Sequence, residues 1–122
     1  MATENVIAAD FNELISTNDI VIVDFWAPWC GPCRSFAPTY EKVSDKHTDM
    51  VFAKVNTEEE QELASHFQIR SIPTLMIFRE QVMLFAQPGM LSESQLEEVI
   101  GKVREVDMAK VHEEIAKQDQ PE

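Results

Sequence analysis

The stretch "WCGPC", residues 29 to 33, holds both cysteines of the 122-residue chain. Cys30 and Cys33 stand one helical turn apart, with Gly31 and Pro32 between them, where the β-branched run "IVIVDF" gives way to a helical pattern. A helix N-terminus offers unpaired backbone N–H groups and partial positive charge, which stabilise a thiolate at Cys30. A thiolate attacks a disulfide and forms a mixed disulfide, and a second thiol one turn away can resolve it. Gly31 permits a tight turn, and Pro32 suits a helix's first turn, where a missing N–H costs little. Three other readings stand beside exchange chemistry. A structural zinc site needs about four ligands, and the pair plus the scattered His47, His66 and His112 supplies them poorly. A purely structural disulfide would close too short a loop to add much entropy. Two inert buried thiols would leave the flanking tryptophans, glycine and proline unexplained.

The elements that would hold this pair follow from periodicity and turn signals. Ile20–Phe25 reads as a buried strand interrupted by Asp24, and Met50–Asn56 as a second strand carrying Lys54. Phe36, Tyr40, Val43 and His47 recur at helical spacing, which predicts a helix over about 33–47 with Pro38 as a kink. Thr57 and Glu60 form a capping-box pattern before Leu63, Ala64 and Phe67, and Ser92 and Gln95 form another before Leu96, Val99, Ile100 and Val103. Ser71–Phe78 and Val82–Ala86 read as a hairpin whose link lacks an Asn-Gly pair. Asp10 and Glu13 could cap a short first helix containing Phe11, Leu14 and Ile15. Phe25 and Trp26 are expected in the core and Trp29 at the surface. The order predicts an α/β fold, a mixed sheet with helices on both faces, because parallel neighbours need crossover helices and a hairpin adds antiparallel strands.

Composition limits the function classes. The net charge of −12 argues against sequence-independent binding of nucleic acid or anionic lipid. No apolar run approaches the roughly 20 residues of a membrane span. The N-terminus lacks a basic region followed by an apolar stretch, so the expectation is a cytoplasmic protein with protein or small-molecule partners. Residues 1–105 read as one domain. Residues 106–122 read as an extension: Asp107 could cap a helix with Met108, Val111 and Ile115 as its apolar stripe and a frayed "QDQPE" end. A surface helix and a docking or dimer helix both fit that stripe, so a monomer is expected and a tail-mediated dimer stays open.

The segments "VDFWAPWCGPCRSFAP", "KVN", "IRSIPT" and "PGMLS" resemble the thioredoxin family over roughly residues 6–105, and "VNTE" with "IRSIPT" is similar to its thioredoxin 2 branch. Members of that branch often carry an N-terminal zinc module on four further cysteines, so the resemblance is to the catalytic domain. It implies a thioredoxin fold and a protein disulfide reductase that works without a metal or other cofactor, through a redox-active Cys30–Cys33 disulfide. Disulfide-containing proteins would be its substrates and a flavoprotein reductase its electron donor. Cys30 would be the attacking cysteine and Cys33 the resolving one. Asp24 would handle the proton of Cys33, with Lys54 as its partner. Pro73 would be cis, Ile72 would pair with a substrate strand, and Trp29, Gly31, Pro32 and Gly89 would border the docking groove. From the residues alone, Asp24 could instead lie at a frayed strand end and Lys54 could snorkel to water. Gly89, between the last strand and the last helix, is expected at a turn needing positive φ or a close backbone approach. The intervening Gly31-Pro32 adds no charge near a thiolate, which favours the reductase direction over a thiol oxidase or isomerase. A binding module that uses the same fold without catalysis is the rival from another class.

Overall fold

The computed structural model describes residues 2–118. Its elements are β1 (Thr3–Asn5), α1 (Ala8–Thr17), β2 (Ile20–Trp26), α2 (Gly31–Ser44), β3 (Val51–Asn56), α3 (Gln61–His66), β4 (Thr74–Arg79), β5 (Val82–Pro88), α4 (Glu93–Glu105) and α5 (Met108–Gln118). The five strands lie in the order β1-β3-β2-β4-β5, with β1, β3 and β2 parallel and β4 antiparallel to both β2 and β5. This is the thioredoxin fold, as the resemblance implied.

Strand alternation sorts the side chains of the sheet onto two faces. Ile20, Ile22, Phe52, Leu75 and Ile77 pack with Phe36, Tyr40 and Val43 of α2 and with Leu96, Ile100 and Val103 of α4. Val21, Val23, Phe25, Ala53, Val55, Met76 and Phe78 pack with Phe11 and Ile15 of α1, joined by Leu63 and Phe67. Both faces are therefore covered, which is why β2 reads as a nearly unbroken apolar run.

Several boundaries differ from the sequence reading. α2 begins at Gly31, with Cys30 as its N-cap, and ends at Ser44, so His47 lies beyond it and meets Glu97 of α4 instead. The helix continues through Pro38. Thr57 caps no helix: its hydroxyl and its N–H both donate to the Trp26 carbonyl, at 3.0 and 2.8 Å. Asn56 turns the chain by accepting from the Glu58 N–H, and α3 starts only at Gln61. Asp10 likewise lies within α1. The Ala8 N–H of that helix donates to the Glu60 carboxylate at 2.7 Å, a cap supplied from 52 positions away. β4 starts at Thr74 because Ser71, Ile72 and Pro73 form a bend. Trp26 is half-buried, with Lys54 Nζ 4.7 Å from its ring centre. The Ser92–Gln95 capping box forms as read.

The β4–β5 link is a two-residue turn in which Glu80 and Gln81 both have positive φ, 51° and 68°. α5 exists, and Asp107 Oδ1 accepts from the Lys110 N–H at its start. The Arg79 guanidinium bonds the carbonyls of Val103, Arg104 and Val106, and His112 meets Glu80 at 3.0 Å, so α5 is tied to the hairpin. Most of the expected frayed "QDQPE" end lies outside the described residues. No helix among the described residues is long and apolar enough to cross a membrane.

Candidate active site

The end of β2 and the head of α2 bring the two cysteines together. Cys30 and Cys33 form a disulfide with their Cα atoms 5.2 Å apart. The Cys33 N–H donates to Cys30 Sγ at 3.2 Å, so the sulfur occupies the place an N-cap side chain normally takes. A thiolate there would gain from the same donor and from the helix dipole. Arg34 donates to the Pro28 carbonyl at 2.9 Å and steadies the approach to the helix. Gly31 and Pro32 are exposed. Gly31 does not have positive φ, and a Cβ built on it meets nothing within 4 Å, so the fold itself does not demand glycine there.

The second wall is the loop before β4. The Ile72–Pro73 bond is cis. The Ile72 carbonyl lies 3.6 Å from Cys30 Sγ, and Ile72, Trp26 and Ala27 pack around the two cysteines. Thr74 Oγ1 donates to the Ser71 carbonyl at 2.6 Å, and the Gly89 N–H donates to the Pro73 carbonyl at 2.8 Å. Gly89 has φ +98°, a conformation in which a Cβ would be strained, so the positive φ expected there is present. Trp29, 63 % exposed, donates its indole N–H to Glu58. Sequence reading misses Glu58 because "TEEE" has the pattern of a capping box, and the tryptophan it supports lies 29 positions away.

The strand that leads to the cysteines carries a buried carboxylate. Asp24 is 1 % exposed, and among the described residues neither of its oxygens has a hydrogen-bond partner. Alternation along β2 puts it on the same sheet face as Ile20 and Ile22, which is the face α2 covers. Burial pushes its pKa from an ordinary 3.8 to about 7, with the charge of Lys54 pulling partly back. Lys54 pairs with Asp24 in the parallel register of β2 and β3 and is half-buried. Among the described residues no three His, Cys, Asp or Glu side chains come together in a way that could hold a metal ion.

A disulfide-forming pair at the head of a helix, at the end of a strand of a mixed sheet, defines a thiol–disulfide oxidoreductase. A family model described as Thioredoxin matches residues 2–102. The chain is 50 % identical over 117 residues to a protein described as thioredoxin 2 from Streptomyces coelicolor, covering 96 % of this chain and 87 % of that one. It is 41 % identical over 104 residues to a thioredoxin from Alicyclobacillus acidocaldarius, covering 81 % and 99 % of the two chains. Among solved structures it matches a single-substitution mutant of a thioredoxin from Halobacterium salinarum with a TM-score of 0.79 at 32 % identity, covering 85 % of this chain and 92 % of that one. It also matches oxidised thioredoxin from Plasmodium falciparum with a TM-score of 0.75 at 37 % identity, covering 83 % and 97 %. The chain belongs to the thioredoxin family. It is a protein disulfide reductase that acts by dithiol–disulfide exchange through Cys30 and Cys33, and its substrates are disulfide-containing proteins.

Proposed function

We propose that Cys30 is the attacking thiolate, Cys33 the resolving thiol and Asp24 the acceptor of the Cys33 proton. In the reduced protein, Cys30 Sγ attacks one sulfur of a substrate disulfide, and the other substrate sulfur leaves as a thiolate. Asp24 takes the proton from Cys33, whose thiolate attacks Cys30 Sγ and expels the second substrate thiolate. The protein loses two electrons and the substrate gains them. The protons released from the cysteines end on the two substrate thiols. A carboxyl with a pKa of about 7 can both accept and return that proton near neutrality. Lys54 tunes Asp24 through its charge.

The observation that supports this reading is the disulfide at the α2 N-terminus with the Ile72 carbonyl 3.6 Å from Cys30 Sγ, and Asp24 is buried on the sheet face that α2 covers. A substrate strand would pair with the Ile72 backbone beside the mixed disulfide, with Trp29, Gly31, Pro32, Pro73 and Gly89 bordering it. Electrons would return to the oxidised pair from a flavoprotein reductase in the cytoplasm, a compartment in which thiols are kept reduced. Residues 1–105 would form the catalytic domain, with 106–122 an added helical extension. The test is dithiothreitol-driven reduction of insulin. Wild type is expected to accelerate precipitation and each of Cys30→Ser and Cys33→Ser to lose that acceleration; a folded wild type with no effect would instead favour a binding module.

A further inference from the structure

The chain is strongly acidic, and within residues 2–105 its cations are almost all engaged. Lys42 and Lys46 pair with Glu93, Lys102 with Glu98, and Arg104 with Asp49. Arg34 and Arg79 bond backbone carbonyls, and Lys54 sits over Trp26. Arg70 is the exception among the described residues of that span: it is exposed, and its guanidinium has neither a carboxylate nor a carbonyl partner. It also stands two positions before Ile72, whose carbonyl touches Cys30 Sγ at 3.6 Å. Two residues span at most about 7 Å, so the guanidinium can reach side chains flanking any half-cystine seated against Ile72.

The loop that carries Arg70 is fixed rather than loose. Gln68 holds a left-handed conformation, φ 55°, at the end of α3, the Ile69 N–H donates to the Ala64 carbonyl at 2.9 Å, and Thr74 ties down Ser71. Arg70 is thus held at one side of the site, with surface depressions on either side of it, one toward Thr57 and Gln61 and one toward Gln87 and Pro88. Toward Trp29, Glu58 bonds the indole and Glu59 follows it in sequence, while the Arg34 guanidinium there is taken up by the Pro28 carbonyl at 2.9 Å. The Ile72 side of the rim therefore carries a cation without a carboxylate or carbonyl partner, whereas on the Trp29 side the cation is engaged and carboxylates accompany it.

We infer that Arg70 is a specificity determinant that selects protein disulfides carrying a carboxylate within one or two residues of the attacked half-cystine. This rests on the proposed seating of substrate along Ile72. With a net charge of −12 the rest of the molecule repels acidic partners, so Arg70 supplies a local attraction on an otherwise unfavourable surface. Neutral or basic substrates gain nothing from it.

The experiment measures second-order rate constants for oxidation of the pre-reduced full chain by disulfide-linked peptides that differ only in Glu or Lys beside the half-cystine. The readout is the Glu-to-Lys ratio within each protein, which cancels general losses of activity and the intrinsic reactivity of each peptide when variants are compared. Arg70→Gln is expected to lower that ratio about threefold, the scale of one exposed ion pair, and Arg70→Glu to lower it further. Arg70→Lys is expected to keep most of it, and raising salt to about 0.5 M to shrink the wild-type preference. A ratio unchanged by Arg70→Gln and Arg70→Glu would overturn the assignment while leaving the reductase intact. Failure of wild type to react with any peptide would overturn the substrate seating as well.

Discussion

Asp24 is the residue on which sequence and physics agree most closely. A carboxylate in an apolar strand reads as an anomaly, and in the fold it is buried with neither oxygen hydrogen-bonded among the described residues. Such a group costs stability, and far more when charged than when neutral. Its folded-state pKa, about 7, lies above the ordinary 3.8, so the folded state binds the extra proton between those values. Stability from this group is therefore fully present below about pH 4 and falls as pH rises towards 7, by up to about 4 kcal/mol. Urea unfolding at pH 5 and pH 8 is expected to show Asp24→Asn more stable than wild type, by a margin that grows with pH. A margin independent of pH would mean that Asp24 titrates as an ordinary surface carboxylate. The cysteines were legible from type and spacing alone. Pro73 and Ile72 were legible only through resemblance, because a cis bond leaves no mark in residue type and the carbonyl facing Cys30 is backbone.

At the scale of elements, the two strained turns are readable only from the backbone. Gln68 closes α3 and Gln81 closes the β4–β5 hairpin, both at positive φ, which costs a side-chain-bearing residue about 1 kcal/mol or more. Gln68→Gly and Gln81→Gly are each expected to raise stability by about 1 kcal/mol in chemical denaturation. Gly101 is the opposite case: it lies in the interior of α4, and an added Cβ meets nothing within 4 Å. Gly101→Ala is expected to stabilise by about 0.5–1 kcal/mol in the same measurement. The core strands and long helices were legible because both carry strong periodicity. Element starts were less so. The cap of α1 and the Trp29 support come from Glu60 and Glu58, whose partners lie 52 and 29 positions away, and a local capping pattern at Thr57 pointed elsewhere. Local patterns lose to tertiary partners wherever a turn, here the one Asn56 makes, already satisfies the backbone.

Over the whole molecule, the sheet serves as a platform whose two ends do different work. The C-terminal end of β2 and the start of β4 hold the cysteines and Ile72, while the opposite end of β4 carries Arg79, which anchors the α4–α5 junction. Arg79→Gln is accordingly expected to lower the melting temperature by several degrees, through loss of bonds worth about 1–3 kcal/mol, and to leave the rate of disulfide reduction unchanged. A matching loss of rate would mean that α5 bears on the site. The exchange mechanism itself makes the sharpest demand. With Cys33→Ser, a disulfide-linked peptide is expected to leave a stable mixed disulfide on Cys30, read by intact mass and peptide mapping. With Cys30→Ser, no adduct is expected on Cys33, which lacks the N-cap position and backbone donor that favour a thiolate at Cys30. An adduct on Cys33, or none in either variant, would contradict the assignment of attacking and resolving sulfurs.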